Sequence, residues 1–188
     1  FNGCFYSTNL VDIEVSLDNK IYKSIDGILY KKRDCCGSYD LVLCPRGKRG
    51  SIVITDGVVR IENEAFKDCK YLEKIEIPST LEYIGNNAFS GCTSLNDIVI
   101  PEGVTSIPGY AFSCNSITSI TIPNTVTSIG DAAFSNCDTL TNVIIGNSVT
   151  SIAERAFFNC PFITSVNIPD SVTSIGEEAF SHCKKLTS

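Results

Sequence analysis

The 188 residues contain no methionine, no tryptophan and a single histidine, His182. One histidine leaves no obvious base for a Ser-His-Asp or Cys-His nucleophile. Ten cysteines are present, yet no C-x-x-C pair occurs, which removes the commonest frame for a zinc site. Phosphate-cradling G-x-x-x-x-G-K-[ST] and dinucleotide fingerprints are missing as well. No apolar run approaches the roughly 18 residues that a membrane-spanning helix needs. The sequence starts at Phe1 with no leader-like segment, so it reads as a processed or truncated product. Basic residues are scarce where most of the chain lies. Residues 51–188 carry seven Lys/Arg against fifteen Asp/Glu, a balance of −8, while residues 1–50 carry eight against six, a balance of +2. An acidic body of this kind excludes broad nucleic-acid binding, which needs a basic surface.

What is present is a period. Ala-Phe pairs fall at Ala65-Phe66, Ala88-Phe89, Ala111-Phe112, Ala133-Phe134, Ala156-Phe157 and Ala179-Phe180. The unit around them reads I-P-x-x-V-T-x-I-x-x-x-A-F-x-x-C-x-x-L-x-x-I-x-I. Self-similarity at this interval marks a stack of small modules, none able to bury its apolar face alone. Strands are expected near 72–77, 95–100, 117–122, 140–145 and 163–168, mostly ended by Pro78, Pro101, Pro123 and Pro169. A V-x-x-I segment crosses the far side, and a short helical turn is expected to carry Ala and Phe inward.

Residues 1–15 read as a partial, divergent repeat. Residues 16–50 break the period. Asp26-Gly27 between Ile21–Ile25 and Ile28–Tyr30 is a hairpin signal, because glycine tolerates the positive φ of a tight turn. A third strand is expected over 39–44, so 16–50 forms an inserted β-meander. Its basic cluster, Lys31, Lys32, Arg33, Arg46, Lys48 and Arg49, reads as a solvated hairpin tip. Residues 51–188 form the regular array of about six modules of 22–23 residues.

Seven cysteines, Cys4, Cys69, Cys92, Cys114, Cys137, Cys160 and Cys183, are assigned to one repeat slot. Parallel stacking suits disulfide geometry poorly, so they are expected as buried free thiols filling apolar space. Cys35, Cys36 and Cys44 lie outside the slot, and Cys35 or Cys36 could bridge Cys44.

The segment Pro169-Asp170-Ser171-Val172-Thr173-Ser174-Ile175-Gly176-Glu177-Glu178-Ala179-Phe180, with its counterparts, resembles the BspA-type leucine-rich repeat family. The hairpin stretch from Asp26-Gly27 to Lys48 also looks like one found among such repeats. The resemblance implies a β-rich solenoid, α/β by convention: a parallel sheet on one face, short strands and helical turns on the other, and an inserted β-hairpin near the N-terminus. It also implies an extracellular or cell-surface location, adhesion to host or matrix proteins or other cells, and no catalytic residues or cofactor.

The outward slots of the strand face are the candidate binding residues: Glu73, Lys74, Glu76, Asn96, Asp97, Val99, Thr118, Ser119, Thr121, Thr141, Asn142, Ile144, Thr164, Ser165 and Asn167. Thr and Ser suit any strand surface, so the binding reading competes with a plain solvated one. The expected partner is a protein or glycan, with end-to-end self-association as a structural alternative. A threonine row at Thr105, Thr127, Thr150 and Thr173 marks the opposite face.

Overall fold

In the computed structural model, residues 9–33 and 37–187 are described. The hairpin is β1 (Tyr22–Ile25) and β2 (Ile28–Lys32). Asp26 and Gly27 between them both take positive φ, 47° and 70°, as a two-residue hairpin turn of the primed type demands. Next comes β3 (Tyr39–Leu43), antiparallel to β2 on one side and parallel to β5 (Val58–Ile61) on the other. The insert is therefore joined to the array by backbone hydrogen bonds.

From there the chain winds in coils, each with a front and a back strand. The front strands are β4 (Arg49–Val53), β6 (Tyr71–Glu76), β8 (Asp97–Ile98), β10 (Ser119–Thr121), β12 (Asn142–Ile144) and β14 (Ser165–Val166). The back strands after β5 are β7 (Tyr83–Ile84), β9 (Ser106–Ile107), β11 (Ser128–Ile129), β13 (Ser151–Ile152) and β15 (Ser174–Ile175). Pairing between coils is parallel and in register, as in Ser119↔Asn142↔Ser165 and Ser128↔Ser151↔Ser174. Both series are interrupted. The front splits into β4-β6-β8 and β10-β12-β14, and the back splits between β7 and β9.

The helical turns expected on the far side are absent: no helix occurs among the described residues. The Ala-Phe segment is a succession of tight turns, with Ala65 N–H bonded to Glu62 O, Lys67 to Glu64 and Cys69 to Phe66. The intervening N–H groups of Glu64, Phe66 and Asp68 go to Asn86, Ala88 and Ser90 of the next coil. A helix would have kept those donors for itself. Positive φ at Glu64 (62°) and Asp68 (60°), repeated in each coil up to Glu178 and His182, fixes the alternative. These residues stand third in their turns, where a type II turn requires positive φ.

The core runs inside the coils as continuous rows. Phe66, Phe89, Phe112, Phe134 and Phe157 are fully buried, and Phe180 is partly so. Their rings stack at 5.1–5.3 Å with interplanar angles of 4–12°. Cys69, Cys92, Cys137, Cys160 and Cys183 form a second buried row of free thiols. They also donate weak hydrogen bonds across coils, from Cys92 Sγ to Phe66 O (3.0 Å), Cys137 to Phe112 O (3.3 Å), Cys160 to Phe134 O (3.1 Å) and Cys183 to Phe157 O (3.3 Å).

Cys114 does not belong to this row. It is exposed at φ 58°, and the slot is held by Asn115, buried with both carboxamide atoms unpartnered. The reason is spacing. The coil is one residue short between Phe112 and Ile117, so the cysteine falls one place early, on the turn. Cys4 lies outside the described residues.

Candidate binding face

Along each front strand the inward residue is apolar: Ile75, Ile98, Ile120 and Val143 are buried and Val166 is partly buried. Strand alternation then turns the residues on either side outward. Fourteen of the fifteen residues singled out above are exposed, and Lys74 is half-buried. They form three columns. The first is Glu73, Asn96, Thr118, Thr141 and Thr164; the second is Lys74, Asp97, Ser119, Asn142 and Ser165; the third is Glu76, Val99, Thr121, Ile144 and Asn167. In the third column Val99 is 74% and Ile144 52% exposed.

Charge is confined to the first coils. Lys74 Nζ lies 3.3 Å from Glu76 Oε1 and 3.6 Å from Asp97 Oδ2. The hydrogen bond to Glu76, then the charges of Glu76 and Asp97, push the Lys74 pKa upward. From β10 onward the three columns carry no charge. A cavity of about 410 Å³ is lined by Asn96, Asp97, Ile98, Val99, Thr118, Ser119 and Thr121, between β8 and β10.

Some expectations shift. The basic cluster is largely engaged in surface pairs: Arg33 pairs with Asp40 (3.1 Å), Arg46 with Asp68 (3.2 Å) and Lys48 with Asp12 (2.6 Å), while Lys32 Nζ donates to Asn19 O (2.6 Å). The threonine row spends its hydroxyls inside the array: Thr127, Thr150 and Thr173 Oγ1 donate to Thr105, Thr127 and Thr150 carbonyls. His182 is exposed and meets Phe158 edge-on at 5.1 Å. Cys35 and Cys36 lie outside the described residues. Cys44 is a buried thiol, 3.7 Å from Pro45 O, and burial pushes its pKa well up. Sequence reasoning missed one pair: Arg49 stacks over the exposed Tyr71 ring at 4.0 Å, in register at the start of β4 and β6. Tyr71 directly precedes the L-x-x-I motif, a position the period leaves unassigned.

Among the described residues no group of three or more His, Cys, Asp or Glu could hold a metal ion, and no helix is long and apolar enough to cross a membrane.

Comparison with known families matches residues 48–162 to the BspA type leucine rich repeat region, in six copies. Among solved structures, the chain is similar to a leucine rich cell surface protein from Faecalibacterium prausnitzii at 27% identity and a TM-score of 0.67, covering 92% of this chain and 55% of that one. A leucine-rich repeat protein from Bacteroides ovatus matches at 27% identity and a TM-score of 0.64, over 87% of this chain and 51% of the other. The leucine rich repeat protein of T. pallidum matches at 26% identity and a TM-score of 0.64, over 86% and 88%. The chain thus spans about half the length of the first two. Among curated proteins nothing matches.

Proposed function

Given that this chain belongs to the BspA-type leucine-rich repeat family, we propose that it is a surface-displayed adhesion module whose front strands bind a protein or glycan. The module is non-enzymatic: it is a repeat array whose one histidine is held against Phe158. The observation that carries the binding reading is the three-column face, exposed over five consecutive coils whose front strands are held in two parallel sheets, β4-β6-β8 and β10-β12-β14. A rigid scaffold presenting variable outward side chains is the usual basis of recognition by repeat arrays. An extracellular location is supported by the cell-surface relative at 27% identity.

The test is a pull-down against matrix proteins and cell-surface glycans, using the chain and a variant with Thr121→Arg, Asn142→Arg and Asn167→Arg. Three added cations on a neutral stretch should abolish capture while thermal unfolding stays unchanged. Capture that survives all three moves the site off this face. Size-exclusion chromatography separates the reading from an end-to-end spacer, which would give polymers without any ligand.

A further inference from the structure

One coil boundary is unlike the others. Between the coil of β7 and β8 and the coil of β9 and β10, both strand ladders are missing, while the turn ladder is intact. Phe89 N–H still reaches Ala111 O (2.8 Å), Gly91 N–H reaches Ser113 O (2.9 Å), and Phe89 stacks on Phe112 at 5.2 Å.

Each loss has a cause in the sequence. On the back, Gly85, Gly130, Ala153 and Gly176 donate their N–H to Ile61, Ile107, Ile129 and Ile152 carbonyls at 2.8–2.9 Å. The residue in that slot at this boundary is Pro108, which has no N–H to give. On the front, the one-residue deletion draws Ser116 N–H to Leu95 O (3.1 Å). The bond that Thr141 N–H makes to Thr118 O (2.9 Å) then has no counterpart from Thr118 to Asn96. Thr141 also spends its hydroxyl on Thr118 O (2.9 Å), and Thr118 has no such bond to Asn96. The same deletion leaves Asn115 unpartnered in the spine.

The 410 Å³ cavity opens over this gap. We propose that it is the binding groove for a neutral saccharide, which deepens and rests on the strand-face reading above. The volume falls in the range of small-ligand clefts, about 300–1,000 Å³. Its walls offer mixed donors and acceptors within one groove: the Asn96 carboxamide, the Asp97 carboxylate, the hydroxyls of Thr118, Ser119 and Thr121, and the strand-edge groups of Asn96 and Thr118 that the ladder leaves unused. Groups of both kinds side by side suit sugar hydroxyls, each of which both donates and accepts. Val99, 74% exposed, adds an apolar surface for ring C–H groups.

Charge narrows the class. Asp97 is the one ionic group of the groove and already faces Lys74 at 3.6 Å. No Lys or Arg lines the groove, and Lys74 beside it is already paired with Glu76 and Asp97, so a sulfated or carboxylated glycan finds no unpaired counter-charge there.

The chain is applied to an array of neutral oligosaccharides ending in hexose or N-acetylhexosamine, with sulfated ones alongside. Neutral glycans should be retained and sulfated ones not. In titrations with the best-retained glycan, Asn96→Ala and Ser119→Ala should each weaken binding about tenfold, the loss of one hydrogen bond to a ligand. A ladder-restoring variant, Pro108→Gly with one glycine inserted between Asn115 and Ser116, should fold with unchanged or higher thermal stability and lose the glycan. Glu177→Ala, on an exposed Ala-Phe turn outside the strand face, should leave glycan binding intact. No neutral glycan retained, a preference for sulfated glycans, or binding indifferent to Asn96 and Ser119 overturns the groove. If Thr164→Arg with Asn167→Arg alone removes binding, the groove falls and the strand face stands. Should the ladder-restoring variant unfold, the Asn96 and Ser119 titrations decide.

Discussion

Among the described residues, Asn115 is the buried side chain in the spine whose polar atoms have no hydrogen-bond partner. A buried carboxamide without a partner gives up its hydration and recovers nothing, a penalty of about 1–3 kcal/mol. Its neighbours in the column show the remedy, a thiol small enough to fit and able to donate to a phenylalanine carbonyl of the preceding coil. Asn115→Cys should therefore stabilise the protein by about 1 kcal/mol or more, read as a rise in urea midpoint; a fall would mean that the carboxamide has a partner in solution. The thiols also set a pH dependence. Burial pushes Cys44 and Cys92 well up in pKa. A cysteine in the unfolded chain ionises near about 8.5. Above that pH the unfolded state gives up protons that the folded state keeps, so stability is lost as pH rises. Buried Tyr30, also pushed upward mainly by burial, adds a loss of the same sign at higher pH. The urea midpoint should fall steadily from about pH 8.5 upward, and a rise there would contradict buried, protonated thiols.

At the scale of elements, the hairpin turn tests how local the coupling is. Gly27 sits at φ 70°, and a Cβ there would overlap Asp12 Oδ1 and lie 2.9 Å from Asp12 Cα. Gly27→Ala should strain the turn by about 1–3 kcal/mol and displace the segment whose Ile13 N–H donates to Gly27 O (2.9 Å). Because repeat modules couple mainly to neighbours, hydrogen exchange should quicken across β1 and β2 and stay unchanged from β9 onward. Uniform loss of protection would contradict the neighbour-only picture. The Ala-Phe turns make the same point about local form. Their sequence suits a short helix, but every second N–H is drawn to the next coil, and that demand overrides the local preference.

Over the whole molecule, the boundary between β8 and β10 divides an otherwise uniform stack. Across it the coils share the turn ladder and the Phe89–Phe112 stack but neither strand ladder. Amide exchange reports local opening. Thr105 and Thr118 should exchange at least about tenfold faster than Thr150 and Thr141, whose N–H groups are bonded to the preceding coil. Equal rates would show that the gap closes in solution.

Much of this was legible beforehand. The recurrence of Ala-Phe and L-x-x-I named the repeat, and strand alternation identified residues such as Asn142 and Thr164 as outward. The sequence by itself determined the period, the buried Phe row and the exposed strand face, because each follows from short-range pattern: an apolar residue at a fixed interval must lie on one side of a repeating coil. Tertiary structure alone decided where backbone donors go. That choice turned the expected helical turns into laddered turns and left both strand ladders open at one boundary; the short Phe112–Cys114 spacing and Pro108, which set where this happens, were already in the sequence. Hydrogen bonds between coils join residues about 23 apart, and their registry is a property of two coils together, which no single repeat encodes.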